Sequence, residues 1–310
     1  MKWRMFICAI CFLIGGCSLN IPLEDQFSDP DAITDVLSAR SLLASAYKAM
    51  PQQIFQLSVL SDDFCPSQHL NKDMSLQGLY NWREVEMTEL AGTLWAGYYA
   101  VIAEVNALLA RIDAVVTLDE TEKLEKMRIV CEAKALKSWC YFDLLRLFAP
   151  RYEGNENKDG IILKKRVELD FLPRSSVKEC VTEIRTLLNE ARNVDNTQKN
   201  VYWLSDKAVA YLQVELELYA GNYPAVLELT KDLETEYPES VLGADVYKYL
   251  WSSENSDARI FGKYQLEQIY MDIRFDTFEK GDYLVLSQNV DYEEEDIRKE
   301  WSEIPFVMPD

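Results

Sequence analysis

The chain has 310 residues, of which 48% are hydrophobic, enough for a sizeable buried core and inconsistent with a disordered chain. Acidic residues outnumber basic ones by 52 to 32, and the net charge of −20 disfavours nucleic acid and electrostatic attachment to anionic lipid. With one histidine, His69, there is no histidine-rich zinc site or histidine relay, and seven cysteines are too few for a disulfide framework.

Lys2 and Arg4 precede an apolar run from Met5 to Ile14, followed by Gly15, Gly16 and Cys17. About ten apolar residues cannot span a ~30 Å hydrocarbon core, so the run reads as a secretory signal and not a membrane anchor. The small pair before a thiol reads as a bacterial lipobox. Residues 1–16 are then a lipoprotein signal peptide, Cys17 is the lipidated N-terminus, and residues 17–32 are a polar tether. Of the cysteines beyond it, Cys131 and Cys140 fall nine apart on one helix, ~13 Å along its axis and on opposite faces, so they cannot bond. Buried free thiols are expected.

A helix is predicted from about Ala32 to Met50, ended by Pro51, and residues 51–88 read as irregular. Leu94, Tyr98, Val101, Val105, Leu108 and Ile112 recur at helical spacing and mark a second helix over 93–112. A third starts at Asp119 or Thr121 and ends at Phe148 before Pro150. Residues 150–173 read as a loop with a β-like run, Ile161-Ile162-Leu163. Ser176 and Glu179 form a capping box that opens a helix to about Arg192. Ser205 or Asp206 caps the next, which runs to Tyr219. Gly221-Asn222 is a turn, and Pro224 opens a last helix that ends before Pro238. Residues 259–261 and 283–286 are possible strands, and the acidic run 293–296 reads as a solvated surface segment.

The expected fold is mostly α, a tetratricopeptide-like helical-repeat scaffold with long loop insertions and little β. Pairing 33–50 with 93–112, 122–148 with 176–192, and 206–219 with 224–236 gives three stacked units, about the number such a scaffold needs. Insertions 51–92 and 149–175 are where a site would be built.

Trp95, Tyr98, Ile102, Asn106, Leu108 and Leu109, followed by the run from Glu132 to Phe148, resemble the SusD/RagB family of outer-membrane lipoproteins. Ser61-Asp62-Asp63, the Ser175-Ser176-Val177 helix start and the repeat from Ala208 to Ala225 match as well. The family usually has arginine and alanine where this chain has Lys137 and Ser138. It also usually runs past 400 residues, so residues 33–310 read as one SusD-like domain lacking the usual C-terminal part. The resemblance implies a surface-facing, non-enzymatic nutrient-binding lipoprotein without cofactors, working with a SusC-like TonB-dependent outer-membrane barrel and delivering oligosaccharide or another nutrient to it.

Sugar rings stack their C–H faces on aromatic side chains, and their hydroxyls need polar edges nearby. Tyr80, Asn81, Trp82 and Arg83, with Gln68, Asn71 and Asp73 in the same loop, offer that combination. Tyr152 on a loop and Trp203 before a helix cap are further candidates. Trp95, Tyr98 and Trp139 lie on periodic helix faces and read as packing. Asp62-Asp63 reads as a turn or cap, not a metal site. The chain has no Gly-x-Ser-x-Gly elbow, Walker loop or Gly-x-Gly-x-x-Gly motif, and with 52 acidic residues no carboxylate spacing is informative. Two alternatives stay open: a helical-repeat lipoprotein that binds another envelope protein, and a truncated paralogue without function.

Overall fold

The computed structural model describes residues 33–66, 74–167, 171–192, 201–236, 259–262, 283–284, 293 and 295–296. The signal peptide, Cys17, the tether, His69, Gln68, Asn71 and Asp73 lie outside them, as do residues 285–286 and 294 of the C-terminal strand and acidic-run expectations.

Helices dominate: α1 (Val36–Lys48), α2 (Ile54–Leu60), α3 (Met74–Tyr80), α4 (Glu84–Arg111), α5 (Glu120–Phe148), α6 (Val177–Ala191), α7 (Asp206–Tyr219) and α8 (Tyr223–Glu236). The strands are two residues each, β1 (Cys65–Pro66) antiparallel to β2 (Tyr283–Leu284). The three expected pairs form: α1 packs on α4, α5 on α6 and α7 on α8. Further contacts of α1 and α4 with α5, and of α6 with α7, join them into one stack.

Helix α5 is the axis of this stack. Its buried residues run from Ile129 through Glu132, Ala133, Leu136 and Cys140 to Leu145, covering every side of the helix. Ala133, Ala135 and Ser138 are fully buried and small, which lets neighbouring helices approach closely. Helix α4, with the turn after it, is long and apolar enough by length and composition to cross a membrane. Here its buried stripe, Leu94, Tyr98, Val101 and Val105, belongs to the same core.

At three helices a side-chain cap sits at the expected boundary. Asp119 accepts from the Glu122 amide at 2.9 Å, Ser205 accepts from Ala208, and Ser176 with Glu179 completes the capping box. Asp35 caps α1 from inside the predicted start, so that helix begins at Val36. Helix α8 starts at Tyr223, one residue before Pro224.

The described part of residues 51–88 is largely helical, not irregular: it holds α2 and α3, and α4 begins at Glu84, well before the predicted 93. Helices α2, α3 and α7 all end in one hydrogen-bond pattern, the Schellman motif, with Asp62, Trp82 and Gly221 in the left-handed position at φ 65°, 53° and 71°. Glycine announces such a stop, and aspartate or tryptophan conceals it. Helix α4 starts at Arg83 without a side-chain cap, with only Glu84 and Glu86 in its first turn to favour the dipole.

The Ile161-Ile162-Leu163 run is extended but forms no strand. Ile162 donates its N–H to Tyr99 Oη at 2.9 Å, and its carbonyl accepts from the same hydroxyl at 2.8 Å. Residues 259–261 form no strand either; Gly262 N–H reaches the Val201 carbonyl. Cys131, Cys140 and Cys180 are buried thiols in no disulfide, as expected, and Cys65 is a half-buried thiol, likewise unbridged.

Glu217 ties three helices together. Its carboxylate accepts from Arg185 Nε at 2.5 Å and Nη2 at 3.0 Å, and from Asn222 Nδ2 at 2.7 Å. Burial pushes this carboxyl up, but the Arg185 and Asn222 hydrogen bonds and the guanidinium charge outweigh it and hold the group below its ordinary range. A lowered folded-state pKa adds stability above the unfolded value of 4.5, lost as pH falls through the folded one. Glu217→Gln is therefore expected to cost about 1–3 kcal/mol at neutral pH. Thermal melts should show wild type and variant converging below pH 4.5.

Candidate functional site

The turn between α3 and α4 gathers four of the candidate residues. Trp82 N–H bonds to the Leu79 carbonyl at 3.0 Å and Arg83 N–H to the Gly78 carbonyl at 2.9 Å, so the backbone beneath the tryptophan is fixed. Its side chain is 65% exposed. A left-handed residue with a Cβ costs roughly 1–2 kcal/mol relative to an ordinary conformation, and a bulky one there is unusual. Asn81 donates to the Gln77 carbonyl at 2.8 Å, and Arg83 pairs with Glu86. The absence of a side chain at Gly78 makes room for the Glu86 carboxyl, which in turn steadies Arg83. Tyr80 is half-buried against the core, and its hydrogen bond with the Cys65 thiol pushes the phenol up. The turn thus presents one bare indole ring flanked by an amide and a guanidinium.

Tyr152 and Trp203 occupy separate clusters. Tyr152 stands 6.3 Å from the Tyr219 ring, which meets Phe142 edge-on. Trp203 is half-buried, with Tyr47 edge-on at 5.1 Å and the Arg40 guanidinium 4.9 Å from its ring centre. Both rings help hold helices together.

A groove of about 250 Å³ that sequence reasoning missed lies between the α1–α2 connection, α4 and α5. Trp139, Asp143 and Arg146 line one wall, and Gln53, Ile54 and Tyr98 line the other side. Tyr98 donates to Asp143 Oδ2 at 2.9 Å and Arg146 Nη2 donates to Oδ1 at 2.5 Å. Burial first, then the Asp143 charge, pushes the Tyr98 phenol well up. Gln53 Oε1 is buried without a hydrogen-bond partner, an acceptor open to a hydroxyl. Trp139, Asp143 and Arg146 are spaced i, i+4, i+7 on α5, and that single stripe of aromatic, acid and base was the available signal. Tyr98 and Trp95 are packing residues, as expected; Trp95 meets Phe148 edge-on at 5.0 Å.

Among the described residues, no group of three His, Cys, Asp or Glu side chains is placed to hold a metal ion. The chemistry on offer is stacking and hydrogen bonding.

Residues 23–214 match the model of the SusD-like family described as starch-binding and associating with the outer membrane. Similar solved structures include a SusD superfamily protein from Bacteroides fragilis, at 21% identity and TM-score 0.61, covering 77% of this chain and 57% of that one. Another is a SusD superfamily protein from Bacteroides thetaiotaomicron, at 18% identity and TM-score 0.62, with 76% and 54% covered. A SusD-like carbohydrate-binding protein from Bacteroides vulgatus gives 16%, 0.60, 76% and 52%. The chain therefore spans a little over half the length of the structures it matches. No curated protein matches it.

Proposed function

We propose that this chain, which belongs to the SusD-like family, is a non-catalytic protein that binds an oligosaccharide on the turn presenting Trp82. The observation that carries this reading is a tryptophan, exposed and left-handed, at a helix stop where glycine would be less strained. A fold gains nothing from an indole there, whereas a sugar ring gains a rigid stacking face with the Asn81 and Arg83 side chains beside it for its hydroxyls. Tyr80 underpins the turn from within. Tyr152 and Trp203 support the scaffold and take no part in this contact.

On the same reading, Cys17 carries the lipid that holds the protein to the outer membrane with its fold facing outward. A SusC-like TonB-dependent barrel then receives the saccharide. The lipobox sequence and the family's outer-membrane association support the first of these steps.

Trp82→Gly separates the binding role from folding. Glycine relieves the left-handed strain, so thermal stability should hold or rise by up to about 1 kcal/mol. Calorimetric titration with maltoheptaose and with laminari-oligosaccharides should show affinity for the preferred glycan reduced about 30-fold, as for the loss of a ~2 kcal/mol hot spot. Undiminished glycan binding by a folded Trp82→Gly protein would reject the site. A marked loss of stability would show that the ring serves the fold instead.

A further inference from the structure

The net charge of −20 hides one local reversal of sign. A cavity of about 450 Å³ opens between α4, α5 and residues 165–167. Its lining includes Asn106, Leu109, Lys137, Lys165, Arg166 and Val167, with no carboxylate among the described lining residues.

Lys137 is only 4% exposed, in the interior of α5. Its ammonium donates to Asn106 Oδ1 at 2.6 Å and lies 5.6 Å from the Tyr141 ring centre. An ammonium has three donors, and a buried one without an opposite charge is costly. Among the described residues no carboxylate comes within ion-pair distance of Lys137 or of Arg166. Lys165 is the only cation of the three already paired, with Glu183 at 2.7 Å.

The surroundings of Lys137 are held still. Asn106 Nδ2 donates to the Lys164 carbonyl at 2.9 Å, and Tyr141 Oη donates to the same carbonyl at 2.6 Å. These bonds fix the backbone at Lys164, immediately before Lys165 and Arg166. Leu109, Ala110 and Val167 supply an apolar side to the cavity.

We infer that this cavity binds an oxyanion carried on a sugar, the carboxylate of a uronic acid or a sulfate ester, with Lys137 and Arg166 as its donors. A guanidinium and an ammonium lining one cavity suit two or three oxygens, and charge-assisted hydrogen bonds gain strength away from water. The cavity falls within the 300–1,000 Å³ range of small-ligand sites and exceeds what a bare ion needs. Burial pushes the Lys137 ammonium down to about 8, the Lys165 charge adds to the shift and the Glu183 carboxylate opposes it. The sugar identity rests on the carbohydrate-binding reading above; the oxyanion site does not.

Calorimetric titration of the purified chain with sodium glucuronate, sodium sulfate and glucose, at fixed ionic strength, tests this. Glucuronate should bind and glucose should not. Arg166→Gln, at an exposed position, and Lys137→Met should each weaken glucuronate at least tenfold without altering neutral-glycan affinity at Trp82. Sulfate binding as tightly as glucuronate identifies the sulfate ester as the carried group, and tighter glucuronate identifies the uronate. Equal binding of glucose and glucuronate, or undiminished glucuronate binding by folded Arg166→Gln protein, overturns the inference. Failure of the Trp82 test with retained glucuronate binding would reject the neutral-glycan platform and leave this site standing.

Discussion

Arg40→Leu is expected to destabilise the protein by about 3–5 kcal/mol, enough to unfold a large fraction of it at 37 °C. Arg40 donates to Glu132 Oε2 at 2.9 Å and to Glu125 Oε1 at 2.8 Å, and its far face is covered by Trp203. The Glu132 side chain is 3% exposed. Without the arginine a carboxylate is left inside the stack facing the Tyr47 hydroxyl, 3.5 Å away. Tyr47 in turn accepts the Leu204 amide at 3.1 Å, so the fault spreads from α1 and α5 to the start of α7. Burial already pushes the Glu132 carboxyl up, and Arg40 opposes the shift. Removing Arg40 must raise it further.

The sign of the pH effect follows. A carboxyl with a raised folded-state pKa penalises the fold when ionised, so the penalty is absent below the unfolded value of 4.5, grows as pH rises from there towards the folded one and is complete above it. Urea unfolding of Arg40→Leu should therefore show a smaller deficit at pH 5 than at pH 8. Adding Glu132→Leu should recover most of the loss, because an apolar pair of similar volume removes the orphaned charge. A single variant as stable as wild type would show that the ion pair is dispensable.

The second large effect is expected at Leu136→Ala, at about 2–5 kcal/mol by thermal or urea unfolding. Leu136 is fully buried near the middle of α5, which contacts α1, α4, α6 and α7. Helices packed on several sides cannot all move inward to close one cavity, so collapse relieves little of the loss. Glycan affinity below the transition should be unchanged, because the turn at Trp82 is held by its own hydrogen bonds. Lost affinity in still-folded Leu136→Ala protein would link that turn to the centre of the core.

The second half of the fold is written in local chemistry. Asp119, Ser176 and Ser205 cap their helices and Pro150 bars extension of α5, so the pairs α5–α6 and α7–α8 could be read directly. The 51–88 region could not, because Asp62 and Trp82 stand where glycine normally marks the stop. Likewise, Arg83 opens α4 without a side-chain cap. The site divides in the same way. Tyr80 to Arg83 are contiguous, so their composition alone suggested a sugar platform. Trp139, Asp143 and Arg146 follow a helical period that a packing stripe shares, and only the α1–α2 connection across from them makes a groove. Lys137 is one charge among many on α5, and its enclosure depends on residues 165–167 returning over α4 and α5.

The three enclosed cysteines act together as a chemical clock. Cys131, Cys140 and Cys180 are at most 6% exposed and sit on the two helices at the centre of the stack. Cys140 faces the Met50 sulfur at 3.3 Å, and Cys180 lies 3.4 Å from the Ile161 amide. Burial pushes the Cys131 and Cys180 thiols up, so little thiolate is present even when reagent reaches them. Each sulfur becomes reactive only when its helix separates from the residues that cover it, so a water-soluble disulfide reagent would count openings of the stack one molecule at a time. Half-buried Cys65, outside that helix pair, would mark the start of the count.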